Sequence, residues 1–451
     1  MHVIVVGQGK LGTTITKQLS NEGHDIVIVD TNNSVVTNVV DTYDVMGICG
    51  SGATIEILEE AGAKKAELLI ACTPSDELNI LCCMFAKKMG TERTVARVRN
   101  PDYAAQSQFL KDRIGIDFVV NPEFETANEI SRIISFPSAL SLDNFNRGKV
   151  EICGVKINDD NQLCKTAIMD IRKKIKAKVL VCAVQRDEKV YIPSGDFVIE
   201  AGDAIYITGV RAEISAFMRQ TGIHLQKIKN VMIIGGGRIG YYLANLLSDT
   251  GRNVTIIDSN ENRCRELNDM LGDVAVIYGD GTDQDILDEQ GIDSQDALVA
   301  LTGIDEENII VSLYAKSRNV KKVITKIDRH SYSILKEVGV ETRVSPQIVA
   351  GSMITRYVRA LQNSSDNSKI QTLYRLVGGN VEAVEFKVPE DAGYENIPFK
   401  DLQLLPNILI CCIFRNGKII FPDGSDVMKG GDSVIVVTAG RILEDLHDIF
   451  M

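Results

Sequence analysis

The chain has 451 residues, too many for one ordinary domain, and length alone points to roughly three or four. Its formal net charge of −12, with 45% hydrophobic and 24% charged residues, is that of a soluble globular protein and excludes the basic face of a nucleic-acid binder. No apolar run approaches the ~18 residues of a membrane span and no signal peptide precedes the first strand, so a cytoplasmic location is expected.

His2-Val3-Ile4-Val5-Val6 opens the chain as a short apolar run that reads as a buried parallel strand. Gly7-Gln8-Gly9-Lys10-Leu11-Gly12 follows, then a helical stretch from Thr13 to Asn21, then the strand Asp25-Ile26-Val27-Ile28-Val29, ending in Asp30. Strand, glycine turn, helix, strand and acid form the context in which G-x-G-x-x-G denotes a dinucleotide site. The first glycine permits the tight turn, the second lets backbone N–H groups approach a pyrophosphate, and the third lets helix and strand pack closely. The helix N-terminus adds donors and partial positive charge for the phosphates. Asp30 lies 18 residues past Gly12 (30 − 12). A carboxylate there can accept both ribose hydroxyls and favours an unphosphorylated ribose over NADP.

The chain then writes the pattern again. Val231-Met232-Ile233-Ile234 leads into Gly235-Gly236-Gly237-Arg238-Ile239-Gly240, and Asp258 closes the next strand, again 18 past the third glycine (258 − 240). The repeat extends well beyond the turn. Ile48 to Gly52 matches Ile277 to Gly281, Ile57 to Gly62 matches Ile286 to Gly291, and Ala71 to Asn79 matches Ala300 to Asn308. Arg97 falls opposite Lys326, Tyr103 opposite Tyr332, and Asn121-Pro122-Glu123 opposite Ser345-Pro346-Gln347. A whole unit is duplicated, not a short solenoid repeat.

In each half, strands alternate with helical stretches to about residue 135 and about residue 362, the signature of a doubly wound parallel sheet. Val150 to Val210 then reads as short strands with turns at Pro193-Ser194-Gly195-Asp196 and Gly202-Asp203, and 408–437 repeats that character. Leu361 to Lys369 reads as a polar linker. The expected fold is α/β, with two tandem Rossmann-like doubly wound domains, each followed by a small α+β domain. The boundaries expected are 1–135, 136–222, 229–362 and 370–451. The helical stretches ending near Ser135 and Leu361 carry Ile130, Ile133, Ile134, Ile354, Tyr357, Val358 and Leu361, which suit either a partner helix or the chain's own sheet.

Several residues stand where ligands meet such sheets, beyond the carboxyl ends of the strands. Thr73 and Thr302 follow buried runs, where a hydroxyl can touch a nucleotide or cap the next helix. Asp76-Glu77 suits that helix's N-terminus. Arg97 lies in an apolar strand, where a cation wants an anionic partner such as a phosphate. Lys10 and Arg238, beside the third glycine, can reach terminal phosphates or stay solvated. Ser51 and Asp280 follow the third strand, near where an adenine or ribose edge would lie. The ten cysteines sit mostly in apolar runs without a C-x-x-C pair, and the five histidines are scattered, so buried reduced thiols are expected and no metal site. Segment 137–222 has no His and 370–451 only His447, and neither shows a catalytic pattern. Two nucleotide sites with two small β-rich domains therefore read as sensor rather than catalyst.

With these residues in hand, the chain resembles, end to end, the TrkA family, the peripheral NAD-binding subunits of Trk potassium-uptake systems. The match rests on the doubled G-x-G-x-x-G…Asp, the Gly50-x-Gly52 and Gly279-Asp280-Gly281 turns, and the Thr73-x-x-Asp76-x-x-Asn79 and Thr302-x-x-Asp305-x-x-Asn308 segments. The resemblance implies tandem regulator-of-potassium-conductance domains that self-associate as a dimer or tetrameric ring, peripheral on the inner face of the membrane. The implied partner is a separate potassium-translocating channel subunit. It implies NAD(H), and ATP or ADP in relatives, as regulatory ligands without chemical turnover. It assigns Gly7 to Leu11, Asp30, Ser51, Thr73, Pro74 and Arg97 to a first site. Gly235 to Ile239, Asp258, Asp280, Thr302, Gly303 and Lys326 make the second, with Gly12 and Gly240 closing the two turns. Some relatives use a Glu after the proline to reach a nucleotide or cation on a neighbouring subunit; Glu123 keeps that charge and Gln347 lacks it. The alternative is a soluble NAD-dependent oxidoreductase with duplicated cofactor domains.

Overall fold

The computed structural model describes residues 1–104, 106–135, 139–145, 150–187, 189–223, 228–328, 340, 342–365, 370–376, 381–390, 393–441, 443 and 445–450. His224, His330 and Tyr332 lie outside the described residues.

The first copy runs β1 (His2–Val6), α1 (Lys10–Asn21), β2 (Asp25–Asp30), α2 (Asn33–Thr42), β3 (Met46–Cys49), α3 (Ile55–Glu60), β4 (Leu68–Ala71), α4 (Asp76–Met89) and β5 (Arg93–Arg97). Two short turns of helix, α5 (Pro101–Ala104) and α6 (Ser107–Phe109), lead to β6 (Phe118–Val120) and α7 (Pro122–Ser135). The sheet order is β3-β2-β1-β4-β5-β6, all parallel. The central strands bury both faces, which is why they read as unbroken Val/Ile/Leu runs rather than alternating ones. Val5, at the centre, sits beside Ile28 on one side and Ile70 on the other.

A small domain follows: β7 (Ala139–Phe145), β8 (Val150–Lys156), α8 (Ile168–Lys174), β9 (Leu180–Arg186), β10 (Lys189–Tyr191), β11 (Ala204–Gly209) and α9 (Arg211–Gln220). Its strands pair antiparallel in the order β10-β9-β11-β8-β7.

The second copy repeats the first, with β12 (Asn230–Ile234), α10 (Arg238–Ser248), β13 (Asn253–Asp258), α11 (Glu261–Met270), β14 (Val274–Tyr278) and α12 (Gln284–Glu289). It continues through β15 (Ala297–Ala300), α13 (Asp305–Ser317), β16 (Lys322–Lys326), β17 (Thr342–Val344) and α14 (Pro346–Ser365). The order β14-β13-β12-β15-β16-β17 is that of the first sheet. The second small sheet has β18 (Ile370–Leu376), β19 (Val381–Lys387), β20 (Ile408–Arg415), β21 (Lys418–Ile420) and β22 (Ser433–Ala439), in the order β18-β19-β22-β20-β21.

Of the stretch 361–369 that reads as a linker, 361–365 instead belong to α14, which continues to Ser365, and 366–369 lie outside the described residues. Ser and Asn have weak helix propensity, but they extend a helix already nucleated upstream.

The described residues fall into two compact units, one holding 1–135 with 228–355 and the other 136–227 with 356–451. In the first unit, each copy gives its last helix to the other copy. Ala127, Ile130 and Ile134 of α7 are buried against Tyr242, Leu243 and Leu247 of α10, and the ring of Phe124 meets that of Tyr242 edge-on at 5.3 Å. In return, Gly351 of α14 lies against Thr14 and Gln18 of α1, and the Thr355 hydroxyl donates to Gln18 Oε1 at 2.8 Å. The apolar face of α7 therefore packs on a partner helix, not on its own sheet. In the second unit, Val150, Ile152, Cys182 and Tyr206 of one small sheet share a core with Val381, Ala383, Cys411 and Val437 of the other.

Candidate functional site

The two glycine turns separate three jobs. Gly7 has φ +89°, and a Cβ there would lie 2.8 Å from the Thr73 backbone; Gly235, at φ +103°, would meet Leu301 O at 2.8 Å. A Cβ on Gly12 would come within 1.9 Å of Gly7 O, and one on Gly240 within 2.3 Å of Gly235 O. These four glycines make the turn and the helix–strand packing possible. Gly9 and Gly237 differ: each caps its helix with extended backbone at negative φ (−69° and −61°), and nothing lies within 4 Å of where a Cβ would be. Neither the fold nor the backbone conformation asks for glycine at these two places. The open space sits against the first N–H groups of α1 and α10, where an anion is favoured. A side chain at either place would fill that space, which glycine leaves for an anion such as a pyrophosphate.

Asp30 and Asp258 stand at the same turn. Asp30 accepts from Gln8 N at 2.6 Å and from Asn32 N at 2.9 Å; Asp258 accepts from Gly236 N at 2.6 Å and from Asn260 N at 2.8 Å. Each carboxylate holds its turn open at the carboxyl end of the second strand. Leu11 and Ile239 turn their side chains into the core, leaving backbone N–H groups as what they offer. Gln8 is buried as well, donating to Val5 O and accepting from Thr16. Beneath the first turn, burial pushes the Cys72 thiol up to about 12, against the pull of Arg97, and the thiol donates towards Gly7 O at 3.3 Å.

Ser51 Oγ accepts from Ala53 N at 3.3 Å, and Asp280 accepts from both N and Oγ1 of Thr282, at 2.8 and 2.7 Å. Those two bonds hold the Asp280 carboxyl below the usual carboxylate range. Both residues shape the turn after the third strand.

Thr73 and Thr302 are tied to a buried amide that the sequence reading did not assign. Asn79 accepts from Thr73 N and Oγ1 (2.8 and 2.7 Å) and donates to Thr73 O and Arg97 O (3.1 and 2.9 Å). Asn308 does the same to Thr302 N, Thr302 O and Lys326 O. Each Asn clasps the carboxyl end of one strand to that of the next. The helix cap in the first copy is Ser75, whose Oγ accepts from Leu78 N, rather than Thr73. Asp76 does more than favour a helix start: it accepts from Arg99 N and Asn100 N, both at 2.8 Å. Pro74 and Gly303 are exposed on the connecting loops, and Pro74 O accepts from Arg99 Nη2.

Arg97 is largely buried, with β5 lying between β4 and β6, so it is no solvated edge residue. Burial, reinforced by Arg99, pulls its guanidinium below its usual value while Glu123, 3.8 Å away, opposes that. Lys326 Nζ donates to Thr302 O at 3.2 Å and lies 3.6 Å from Asp328. Lys10 does not stay in its own copy: its Nζ is 2.9 Å from Asp328 Oδ2 of the second. Burial alone would raise the Asp328 carboxyl, but the hydrogen bond from Lys10 and the charges of Lys326 and Lys10 hold it below the usual range. Tyr242 crosses in the other direction, accepting from Asn121 Nδ2 at 3.1 Å and donating to Arg99 O at 3.3 Å. Arg238 is exposed at the mouth of its turn. Asp328 is not among the residues that the motifs single out, although the repeat offset of 229 (328 − 99) sets it opposite Arg99.

All ten cysteines are free thiols, and no group of metal-ligating side chains occurs among the described residues.

Fold and paired turns together define a class: tandem Rossmann-like α/β proteins with a small antiparallel domain after each parallel sheet. The TrkA-N domain model matches residues 3–122 and 231–346, and the TrkA-C domain model matches 154–222 and 383–451. The chain belongs to the TrkA family. It is 31% identical to the Trk system potassium uptake protein TrkA homolog 1 of Methanosarcina mazei, over 100% of both chains. To the Trk system potassium uptake protein TrkA of Vibrio alginolyticus it is 30% identical, over 100% of this chain and 98% of that one. Among solved structures, the GsuK channel shares the fold with a TM-score of 0.65 at 18% identity, covering 97% of this chain and 77% of that one. The GsuK channel bound to NAD matches over the same shares at 18% identity, with a TM-score of 0.64.

Proposed function

We propose that the chain is the nucleotide-binding regulatory subunit of a Trk-type potassium-uptake system, gating a separate potassium-translocating membrane subunit in response to NAD(H) and to ATP or ADP. The observation that carries this reading is the pair of open cradles at Gly9 and Gly237, each beside its ribose acid. Gly7 to Gly12, Asp30, Ser51, Thr73, Pro74 and Arg97 would hold one nucleotide. Gly235 to Gly240, Asp258, Asp280, Thr302, Gly303 and Lys326 would hold the second. The boundaries 1–135, 136–222, 229–362 and 370–451 separate nucleotide-binding from small regulatory domains.

The names of the relatives support the potassium-uptake role, and the NAD-bound GsuK channel supports the ligand. No helix among the described residues is long and apolar enough to cross a membrane. The membrane subunit of this reading is a separate chain, and the location it gives this one is cytoplasmic and peripheral. The chain self-associates as a dimer or tetrameric ring and turns over no substrate. The oxidoreductase alternative draws nothing from the relatives, which are named as potassium-uptake proteins.

Calorimetric titration of the full chain with NADH, NAD, ATP and ADP tests this. Two nucleotide equivalents bind per chain, Gly9→Val removes one and Gly237→Val the other, and NADH is recovered unchanged. Unaltered stoichiometry in the double variant would refute the sites, and steady NADH oxidation would refute the sensor.

A further inference from the structure

Arg99 and Asp328 hold the same place in the two copies. Each lies two residues past the end of its strand, β5 or β16, and each backbone N–H is held by the acid that opens the preceding helix. Asp76 accepts from Arg99 N at 2.8 Å and Asp305 from Asp328 N at 3.1 Å. The clasping amides Asn79 and Asn308 bond the strand ends just before them. The backbones match and the charges are opposite.

The surroundings follow that reversal. In the first copy Arg97 and Arg99 stand together, opposed by Glu123 and Asp76, and the buried Nε of each arginine has no hydrogen-bond partner. In the second copy Asp328 stands 2.9 Å from Lys10 Nζ and 3.6 Å from Lys326 Nζ, so both cations there face the carboxylate that replaces Arg99, while Asp305, like Asp76, holds the backbone beside it. The sheet order says which end of a ligand this is. A nucleotide with its ribose at Asp258 on β13 and its phosphates at the β12 turn extends away from the adenosine towards β15 and β16.

We infer that Asp328 makes the second copy discriminate against nucleotides that end in a free phosphate, in favour of a dinucleotide, while Arg99 at the same place admits the terminal phosphate in the first. This rests on the nucleotide-binding reading of both copies. A terminal phosphate entering the second copy must either meet the carboxylate directly or draw Lys10 and Lys326 away from it. The nicotinamide end of a dinucleotide brings no phosphate there. One charge-assisted hydrogen bond gained or lost is worth roughly tenfold in affinity.

The full chain with Gly9→Val leaves the second site for titration, and the chain with Gly237→Val leaves the first. With ATP and NADH as probes, the ratio Kd(ATP)/Kd(NADH) is roughly tenfold higher at the second site than at the first. Adding Asp328→Asn to the Gly9→Val chain lowers that ratio by roughly tenfold, Asp328→Arg lowers it further, and Asp328→Glu preserves it. Thermal unfolding of each variant confirms that the comparison is among folded chains. An unchanged ratio in Asp328→Asn, or ATP and NADH affinities that move together, overturns the inference and leaves the sites standing. If Gly9→Val and Gly237→Val do not each remove one equivalent, the nucleotide reading itself falls.

Discussion

The two Rossmann-like copies share a sheet order, a glycine turn and a clasping amide, yet their carboxyl-terminal edges place their charges differently. The first copy gathers Arg97, Arg99, Asp76 and Glu123; the second has Lys326, Asp328, Asp305 and Gln347, and takes Lys10 from its neighbour. The cross-links between them are also unlike. Tyr242 carries a hydroxyl from the second copy into the first, where it meets Asn121 and Arg99 O. The counterpart of Tyr242 by the 228 offset is Thr14, whose hydroxyl donates to Lys10 O within its own helix. Duplication kept what the backbone needs and let go of what a ligand would read. The comparison can be broken or sharpened by matched substitutions in the two copies.

The largest effect is expected at the third glycine. Gly12→Ala sets a Cβ 1.9 Å from Gly7 O, and Gly240→Ala one 2.3 Å from Gly235 O, both against backbone that cannot rotate away. Each variant loses about 3 kcal/mol or more in urea unfolding, the first copy more than the second, whereas Gly9→Ala and Gly237→Ala lose little. Equal losses at all four positions would erase the distinction between packing glycines and the cradle glycines.

Next come the amides. Asn79→Ala strands Thr73 N–H and Arg97 C=O in a buried place, for about 2–3 kcal/mol. Asn308→Ala costs somewhat less, because Asn308 Oδ1 accepts from Thr302 N alone, whereas Asn79 Oδ1 accepts from both N and Oγ1 of Thr73. Urea midpoints of the two variants side by side decide it. Reversal of their order would refute the account that the extra bond to Thr73 Oγ1 makes the first clasp the stronger one.

A smaller effect, about 1–2 kcal/mol, is expected in ligand choice: each site prefers NADH over NADPH, since a 2′-phosphate would meet Asp30 or Asp258. Calorimetry on the Gly9→Val and Gly237→Val chains measures each preference separately. Comparable affinities for the two ligands at either site would remove the ribose role of its acid.

The smallest is the ion pair between the copies. Lys10 is largely exposed, so Lys10→Met costs at most about 1 kcal/mol, and less in high salt. The Asp328 carboxyl is held below the usual range in the folded chain, so the contribution is full above the unfolded carboxylate value of about 4 and is lost as pH falls through the lower folded value. Unfolding curves of wild type and Lys10→Met therefore differ at neutral pH and converge in acid. A difference that persists in acid would assign the loss to packing of the lysine stem.

Periodicity and spacing were enough for the α/β order, the duplication, both glycine turns and both acids, because each is a local device. A buried parallel strand must be an apolar run, a tight turn must have glycine, and the acid must follow the next strand. The roles of Asn79 and Asn308 were not legible, since a polar residue in the first turn of a helix looks the same whether it faces water or clasps two strands. Nor could periodicity say where α7 packs: Ile130 and Ile134 make an apolar face whatever lies opposite, and only the assembled unit shows it to be α10. Lys10 and Asp328 are 318 positions apart, and their meeting at 2.9 Å depends on how the two copies exchange helices. Helix exchange is a matter of shape between distant surfaces, which no local pattern encodes, and so the copy that Lys10 serves was settled by the tertiary structure alone.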